Sequence, residues 1–421
     1  MASPDSQMRT IVVSDLHIGD GERLEDFLHD SAFADFVRRY VAGSKTELVL
    51  NGDTIDFLQV QPLGAVTLAA VPYKLDRVFS THPEAFQSLA DHTSAGGVLT
   101  IIEGNHDIEM FFPGVQEEFL RQLAKKGGER SQVRFLTRWT SPTGNAVIEH
   151  GHQADRLNRF RYDDPFLDSA VGAIQLPWGS HFVLRVFNYV EPHHRMIDKI
   201  RPEKAATIIL LLVDRDLFLR SVVPFLGLNV ESWLEELRML SVVRGGAHAK
   251  GPGQNSEATE FAADLEEISD DLELIELAGL SSAKARASKG FVTDQCIRRI
   301  VLFWERQYKR SLACPGAYDF NAARILGRET GASFVIFGHT HHACLFELQP
   351  GLTYLNSGTW TRLLDIPEGR DSSKWLDELQ NVEQYPTSNL PTFVEIETAG
   401  DHVQAQLKAW DPVRRDVSKV P

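Results

Sequence analysis

Cysteine is scarce in this 421-residue chain, with Cys296, Cys314 and Cys344 the whole complement. The count is odd and no two fall in a CxxC pair. Neither a disulfide framework nor a structural zinc site is therefore expected, and a reducing, cytoplasmic setting is favoured. Positive charge is in deficit too. The formal net charge is −15, which counts against nucleic acid as a partner, because such binding draws on Lys and Arg. Long apolar runs are also missing. The most apolar stretch, Ala205 to Val213, is closed by Asp214-Arg215-Asp216. It is far short of the roughly 20 residues that span a bilayer. The opening MASPDSQMRT lacks a basic segment followed by an apolar one, so no signal peptide is expected. What remains is a soluble chain, or one held peripherally at a membrane.

What is present suits a globular protein. Hydrophobic residues make up 43% and charged residues 24% of the chain, an ordinary balance that argues against wholesale disorder. In the first 150 residues short β-rich runs alternate with helical periodicity. The strands are expected at Thr10–Ser14, Glu47–Asn51, Val98–Glu103, Val133–Leu136 and Ala146–Glu149, with helices such as Arg23–Ala42 and Glu84–Ser94 between them. Such alternation predicts an α/β sheet with helices packed outside it.

From Gln153 to Arg328 apolar residues recur at three and four and strand signals fade. This predicts a large, mostly helical insertion (153–328) between two halves of a core (8–152 and 329–412). Gly245–Thr259 and Ser281–Gly290 read as breaks within it, the second followed by a helix from Phe291 to Arg310. Strand character returns at Ser333–Phe337, Cys344–Leu348, Thr353–Asn356, Pro391–Glu397 and Val403–Trp410, while Arg370–Pro386 reads as a polar surface helix and loop.

Five short blocks each follow an expected strand. They are Asp15-Leu16-His17, Gly52-Asp53-Thr54-Ile55-Asp56, Gly104-Asn105-His106-Asp107, His150-Gly151-His152 and Gly338-His339-Thr340-His341. Open α/β sheets gather ligands at the carboxyl ends of their strands. Alternate residues of an extended segment point the same way, so Asp15 and His17, or His339 and His341, could both face a metal. Carboxylate, imidazole and amide without thiolate suit Mn²⁺, Fe or Zn²⁺ better than Ca²⁺ or a soft metal.

In this order the blocks resemble the calcineurin-like metallophosphoesterase superfamily. The resemblance covers about Met8–His152 and Ala332–Trp410, and it implies a four-layer α/β/β/α sandwich. It also implies a dinuclear site. Asp15, His17 and His341 would hold one ion, Asn105, His150 and His339 the other, and Asp53 would bridge the two. Mn²⁺ is the first choice. A water bridging the two ions would be the nucleophile of an in-line attack. His106 would stabilise or protonate at the phosphoryl group rather than ligate, with Asp56 orienting its ring. Ser14–Gly19 and His150-Gly151 are similar to blocks of UDP-2,3-diacylglucosamine hydrolases, although those place Arg where His106 stands. The implied activity is hydrolysis of a phosphodiester or pyrophosphate in a small or lipid-linked substrate. A nuclease or protein phosphatase of the same superfamily is the alternative, and a non-catalytic scaffold a third reading.

Other residues carry two readings. His150 is preferred to His152 as the ligand. Asp20, in Gly19-Asp20-Gly21, reads as a tight turn or a substrate contact. His193-His194 reads as a surface turn, since adjacent side chains diverge. Asn356-Ser357-Gly358 could return beside the site through its backbone. Arg156, Arg159, Arg161, Arg185, Arg195 and Arg201 interleave with Phe160, Phe166, Trp178, Phe182, Phe187 and Tyr189. That composition suits either a cap over the site that gathers phosphate and apolar groups, or the packing of an ordinary helical subdomain.

Overall fold

The computed structural model describes residues 8–195, 197–199, 317–363, 390–400 and 402–420, with isolated positions between 210 and 221. The chain divides into two compact units. Met1–Leu184, Ala313–Arg362 and Thr387–Pro421 form the first; Arg185–Leu312 and Leu363–Pro386 form the second. The first unit thus takes in residues 153–184, the opening of the segment read as an insertion. The expected loops Gly245–Thr259 and Ser281–Gly290, the helix Phe291–Arg310 and the stretch Arg370–Pro386 lie outside the described residues.

The first unit is α/β, built on two mixed sheets. Strands β1 (Met8–Val13), β2 (Thr46–Asn51), β3 (Val98–Ile102) and β4 (Val133–Leu136) run parallel. Beyond β1 the sheet continues antiparallel through strands Thr392–Ala399, His402–Asp411 and Asp416–Lys419, making seven. The second sheet has five strands. Its β6 (Ala146–Ile148), β9 (Phe334–Phe337) and β11 (Leu352–Asn356) are parallel, flanked antiparallel by β5 (Trp139–Thr140) and β10 (Cys344–Gln349). Ile11, Val12 and Val13 in β1, and all of β2, are buried. A parallel strand covered on both faces needs such an unbroken apolar run.

Side-chain alternation shows how the layers stack. Val12, Val49, Ile102, Val394, Ile396 and Leu407 of the larger sheet form one core cluster with Ala146, Ile148, Ile336 and Leu355 of the smaller. The two sheets therefore meet face to face. The opposite parity of the smaller sheet, Val147, Val335, Phe337, Leu352 and Tyr354, packs on Ala323 and Leu326 of the helix Ala317–Thr330. On the outer side of the larger sheet lie helices α1 (Asp30–Phe36), α2 (Val71–Thr81), α3 (Pro83–Ser94) and α4 (Pro113–Lys125). The Phe36 ring sits 5.0 Å from Phe393 and 5.6 Å from Trp410, while Phe79 stacks on Phe86 at 3.8 Å. Both α3 and α4 open with proline, whose missing N–H is no loss in a first helical turn. The order across the unit is helix, sheet, sheet, helix.

Two expectations are corrected. The helix expected over Arg23–Ala42 begins only at Asp30 and closes as a π turn, Val37–Val41. Before it, the Glu25 carboxylate accepts the backbone N–H groups of Gly19, Gly21 and Phe27, and that side-chain competition holds the segment as a loop. The opening of the segment expected to be mostly helical over 153–328 is not so, although most of the rest lies outside the described residues. It forms turns, a β7–β8 hairpin (Phe166–Asp168 and Ala173–Ile174) and, from Trp178, the start of a helical run that continues through a π segment to Val190. Strands of two or three residues are too brief to show a period. The same brevity hid β5, and Asp416–Lys419 is a charged edge strand with no apolar alternation.

Candidate metal centre

β1, β2, β3, β6 and β9 each end just before one of the five blocks. Backbone hydrogen bonds tie the turns together: Asp15 N donates to Gly52 O at 3.1 Å, His17 N to Asp53 O at 2.9 Å and Gly338 N to His150 O at 2.8 Å. Contacts between the sheets close the ring. His339 N donates to Asp15 Oδ2 at 3.0 Å, and Asn51 Nδ2 to Glu149 O at 3.0 Å. Glycine is required where the turns crowd. A Cβ on Gly52 would lie 2.3 Å from the His150 ring, and one on Gly104 2.1 Å from Asp53 Oδ1.

The side chains converge as three overlapping groups of ligand atoms: Asp15, His17 and His341; Asp53, His150 and His339; and His17, Asp53 and His106. Within each group the atoms lie within 4.8 Å of one another. Asp53 stands in two of the groups, and its Oδ2 is 3.2 Å from His150 Nε2. His17 Nε2 and His341 Nε2 are 3.1 Å apart, and His341 Nε2 is 3.2 Å from Asp15 Oδ1. Behind the candidate ligands, Asp56 Oδ2 takes both His17 Nδ1 at 3.0 Å and His106 Nδ1 at 2.8 Å. His150 Nδ1 donates to Asn51 O at 2.7 Å. Each of these bonds fixes a tautomer and leaves Nε2 as the lone-pair nitrogen of His17 and His150.

The backbone differs from the extended geometry expected of the D-x-H and H-x-H blocks. Asp15, His17, Asp53, His339 and His341 adopt φ of 54°, 47°, 50°, 66° and 61°. Among the described residues only Arg415 is a further non-glycine residue with positive φ. Left-handed backbone costs a residue with a Cβ about 1–3 kcal/mol and gathers at functional sites.

A cation fits this donor set. Asn105 Oδ1 is buried with no hydrogen-bond partner, and neither Asp15 Oδ1 nor His150 Nε2 makes an aligned hydrogen bond. Buried polar atoms are rarely left so. Asp53 and His150 form an electrostatic pair. Burial opposes charge on both partners, yet the imidazoles nearby hold Asp53 well below the ordinary carboxylate range. The same pairing raises His150 to about 9 against its own burial. Seven of the eight side chains are buried outright and His339 nearly so. That eight comprises Asp15, His17, Asp53, Asp56, His150, His339, His341 and Asn105, while His106 is half-buried.

The open readings divide. His152 is buried with its ring 5.4 Å from that of His150 and belongs to none of the ligand groups. Burial and the neighbouring imidazoles push its pKa well down, so it is a neutral packing residue. Asp20 accepts from Gln61 N at 3.0 Å and Arg77 Nε at 2.9 Å, the bonds of a tied turn. His193 is exposed, but His194 is buried with Nε2 3.5 Å from Asp214 Oδ2, so the surface-turn reading holds for the first residue alone. The contact expected of Asn356-Ser357-Gly358 is made by the two residues that follow: Thr359 Oγ1 and Trp360 N donate to Asp15 O at 2.8 and 3.2 Å. Phe160 and Phe166 pack on Phe111 and Phe112. Arg159 Nε donates to Gln153 O, and Arg161 faces Asp163 and Asp164. Those aromatics pack locally, and these two arginines are engaged by neighbours in their own loop.

Sequence reasoning missed Asp107 and Asp155. Asp107 accepts the N–H groups of Gly104, Asp53, Thr54 and Ile55, clamping two site loops together. Its signal was present, as the last residue of the GNHD block. Asp155 Oδ2 lies 3.2 Å from His339 Nε2; nothing in its surroundings in the sequence marks it. A comparison with protein-family models finds no match for the chain, and a comparison with curated proteins finds none.

Proposed function

We propose that the protein is a dinuclear-metal phosphohydrolase with a calcineurin-like four-layer sandwich. One observation carries the reading: five residues of the expected ligand set, drawn from both sheets, take left-handed backbone and converge on one buried cluster with unsatisfied lone pairs. Asp15, His17 and His341 would hold one divalent ion, and Asn105, His150 and His339 the other, with Asp53 shared. Two such ions supply Lewis-acid polarisation of a phosphoryl group and a nucleophile at neutral pH. The protein's own groups do the rest. Asp56 fixes the His106 ring, so its Nε2 is the nitrogen that would stabilise a phosphoryl oxygen or protonate the leaving one. The substrate class proposed is a phosphodiester or pyrophosphate of a small or lipid-linked molecule. Among the described residues no helix is long and apolar enough to cross a membrane.

The test is turnover of chromogenic phosphate mono- and diesters and of nucleotide-sugar pyrophosphates, with Mn²⁺ and after chelation. Mn²⁺-dependent cleavage that Asp53→Asn abolishes is the expected result. No turnover of any of these, or wild-type turnover by Asp53→Asn, would sink the reading. Preference for DNA or a phosphoprotein over all of them would instead favour a nuclease or a protein phosphatase.

A further inference from the structure

The opening of the segment that follows His150 is built into the metal centre itself. Asp155 Oδ2 lies 3.2 Å from His339 Nε2 and accepts from Asn158 Nδ2 at 2.6 Å, while Asp155 Oδ1 accepts from Leu157 N at 2.9 Å. The carboxylate is thus fixed by its own turn before it meets the imidazole. A ring nitrogen that donates to a carboxylate leaves the other as the lone-pair nitrogen. Asp155 therefore leaves His339 Nδ1 as the lone-pair nitrogen that could face an ion.

Asn158 extends the support to a second residue. Its Oδ1 takes Asn105 Nδ2 at 3.4 Å, so the Asn105 amide is turned with its Oδ1, buried and without a hydrogen-bond partner, away from that contact. The Asn105 carbonyl accepts from Ser180 Oγ at 3.2 Å. Gly179 N donates to Leu157 O at 2.8 Å, and a Cβ on Gly179 would lie 2.1 Å from Asn158 Oδ1. His339 and Asn105 are two of the three unshared ligands assigned to one ion, and none of these contacts reaches Asp15, His17 or His341.

We propose that Asp155 and Asn158 are positioning residues for one of the two metal sites, orienting His339 and Asn105 and setting that site's affinity separately from the other's. The inference rests on the two-metal reading. Partners of this kind behind a ligand typically change metal affinity by roughly 10–100-fold.

The test is Mn²⁺ titration by calorimetry, with electron paramagnetic resonance on the loaded full-length protein. Wild type should take up two ions and give the spectrum of a spin-coupled pair. Asp155→Asn and Asn158→Ala should each weaken one ion by roughly 10–100-fold, leave the other at wild-type affinity, and give a single-ion spectrum at intermediate Mn²⁺. Asp155→Glu should restore part of the lost affinity, which a merely structural role would not. Asp155→Asn keeps volume and shape, so folding is checked by circular dichroism before titration. Unchanged affinities, or equal weakening of both ions, would overturn the inference while leaving the two-metal reading intact. A wild-type protein that binds no Mn²⁺ would remove both.

Discussion

Asp56 Oδ2 lies 2.8 Å from His106 Nδ1 and holds that ring at the edge of the ligand cluster. The same oxygen also receives His17 Nδ1 at 3.0 Å, so one carboxylate serves a proposed ligand and a proposed catalyst. His106 is close enough to Asp53 and His17 to ligate, which makes the distinction measurable. His106→Ala should keep both ions, with turnover falling by roughly 10²–10⁴-fold. Asp56→Asn should lower turnover and also weaken the ion held by His17. Metal analysis alongside rates checks both, and loss of an ion in His106→Ala would make it a ligand.

The Gly104 position tests whether the crowding of the turns matters. A Cβ there would lie 2.1 Å from Asp53 Oδ1 and 2.5 Å from Asp53 N, and a backbone atom cannot swing aside. Gly104→Ala should destabilise by about 1–3 kcal/mol, the usual cost of overpacking, and impair metal uptake. A Cβ on Gly114, in the first turn of α4, would meet nothing within 4 Å. Gly114→Ala should be neutral or stabilising by up to ~1 kcal/mol. Urea melts of the two variants should separate; equal effects would mean that close approach at Gly104 is unimportant.

Much of this candidate centre was legible because metal ligation would restrict residue type and parallel strands restrict place. Asp15, Asp53, Asn105, His150 and His339 each follow the carboxyl end of a strand that was recognisable from its β-branched run. The conformation of the blocks was not legible. Alternation in an extended segment would bring Asp15 and His17 to one side, but both are left-handed, and their convergence depends on bonds from Gly52, Asp53 and Thr359. Asp155 was hidden for a related reason. Its role comes from a partner 184 positions away, and short-range pattern carries no trace of such a contact. The β7–β8 hairpin failed on length alone.

The Glu25–His82 pair gives a pH-dependent prediction away from the metals. His82 Nε2 is 3.0 Å from Glu25 Oε2 and Nδ1 is 3.7 Å from Asp30 Oδ1. Burial opposes its charge, but Asp30 and Glu25 outweigh burial and raise its pKa from 6.5 to about 9. A histidine whose folded pKa is raised stabilises fully below its unfolded pKa and loses that contribution as pH rises through the folded one. Stability should therefore decline between about pH 6.5 and 9, by roughly 3 kcal/mol from this group. His82→Gln should flatten that part of the profile, measured as the difference in urea midpoints between the two proteins at each pH. A slope identical in both would rule out the pair as its source.

Removing the metals should cost stability as well as activity. Five proposed ligands hold left-handed backbone, at about 1–3 kcal/mol each, and Asp15, Asp53 and Asp56 lie buried in one cluster. Bound cations offset both terms because they bind the folded chain alone. An ion at 100 times its Kd contributes about 2.7 kcal/mol, so two contribute roughly 5 kcal/mol. At about 2–4 °C per kcal/mol for a unit of this size, Mn²⁺ should raise Tm by ~10 °C or more over the chelated protein. Asp53→Asn removes the shared carboxylate and should lose most of that shift, while the sheet-to-sheet core keeps the variant folded. Differential scanning calorimetry with Mn²⁺ and with EDTA decides the matter. Identical Tm values in the wild-type protein would mean that the left-handed ligands are held by the turns alone, without help from a cation.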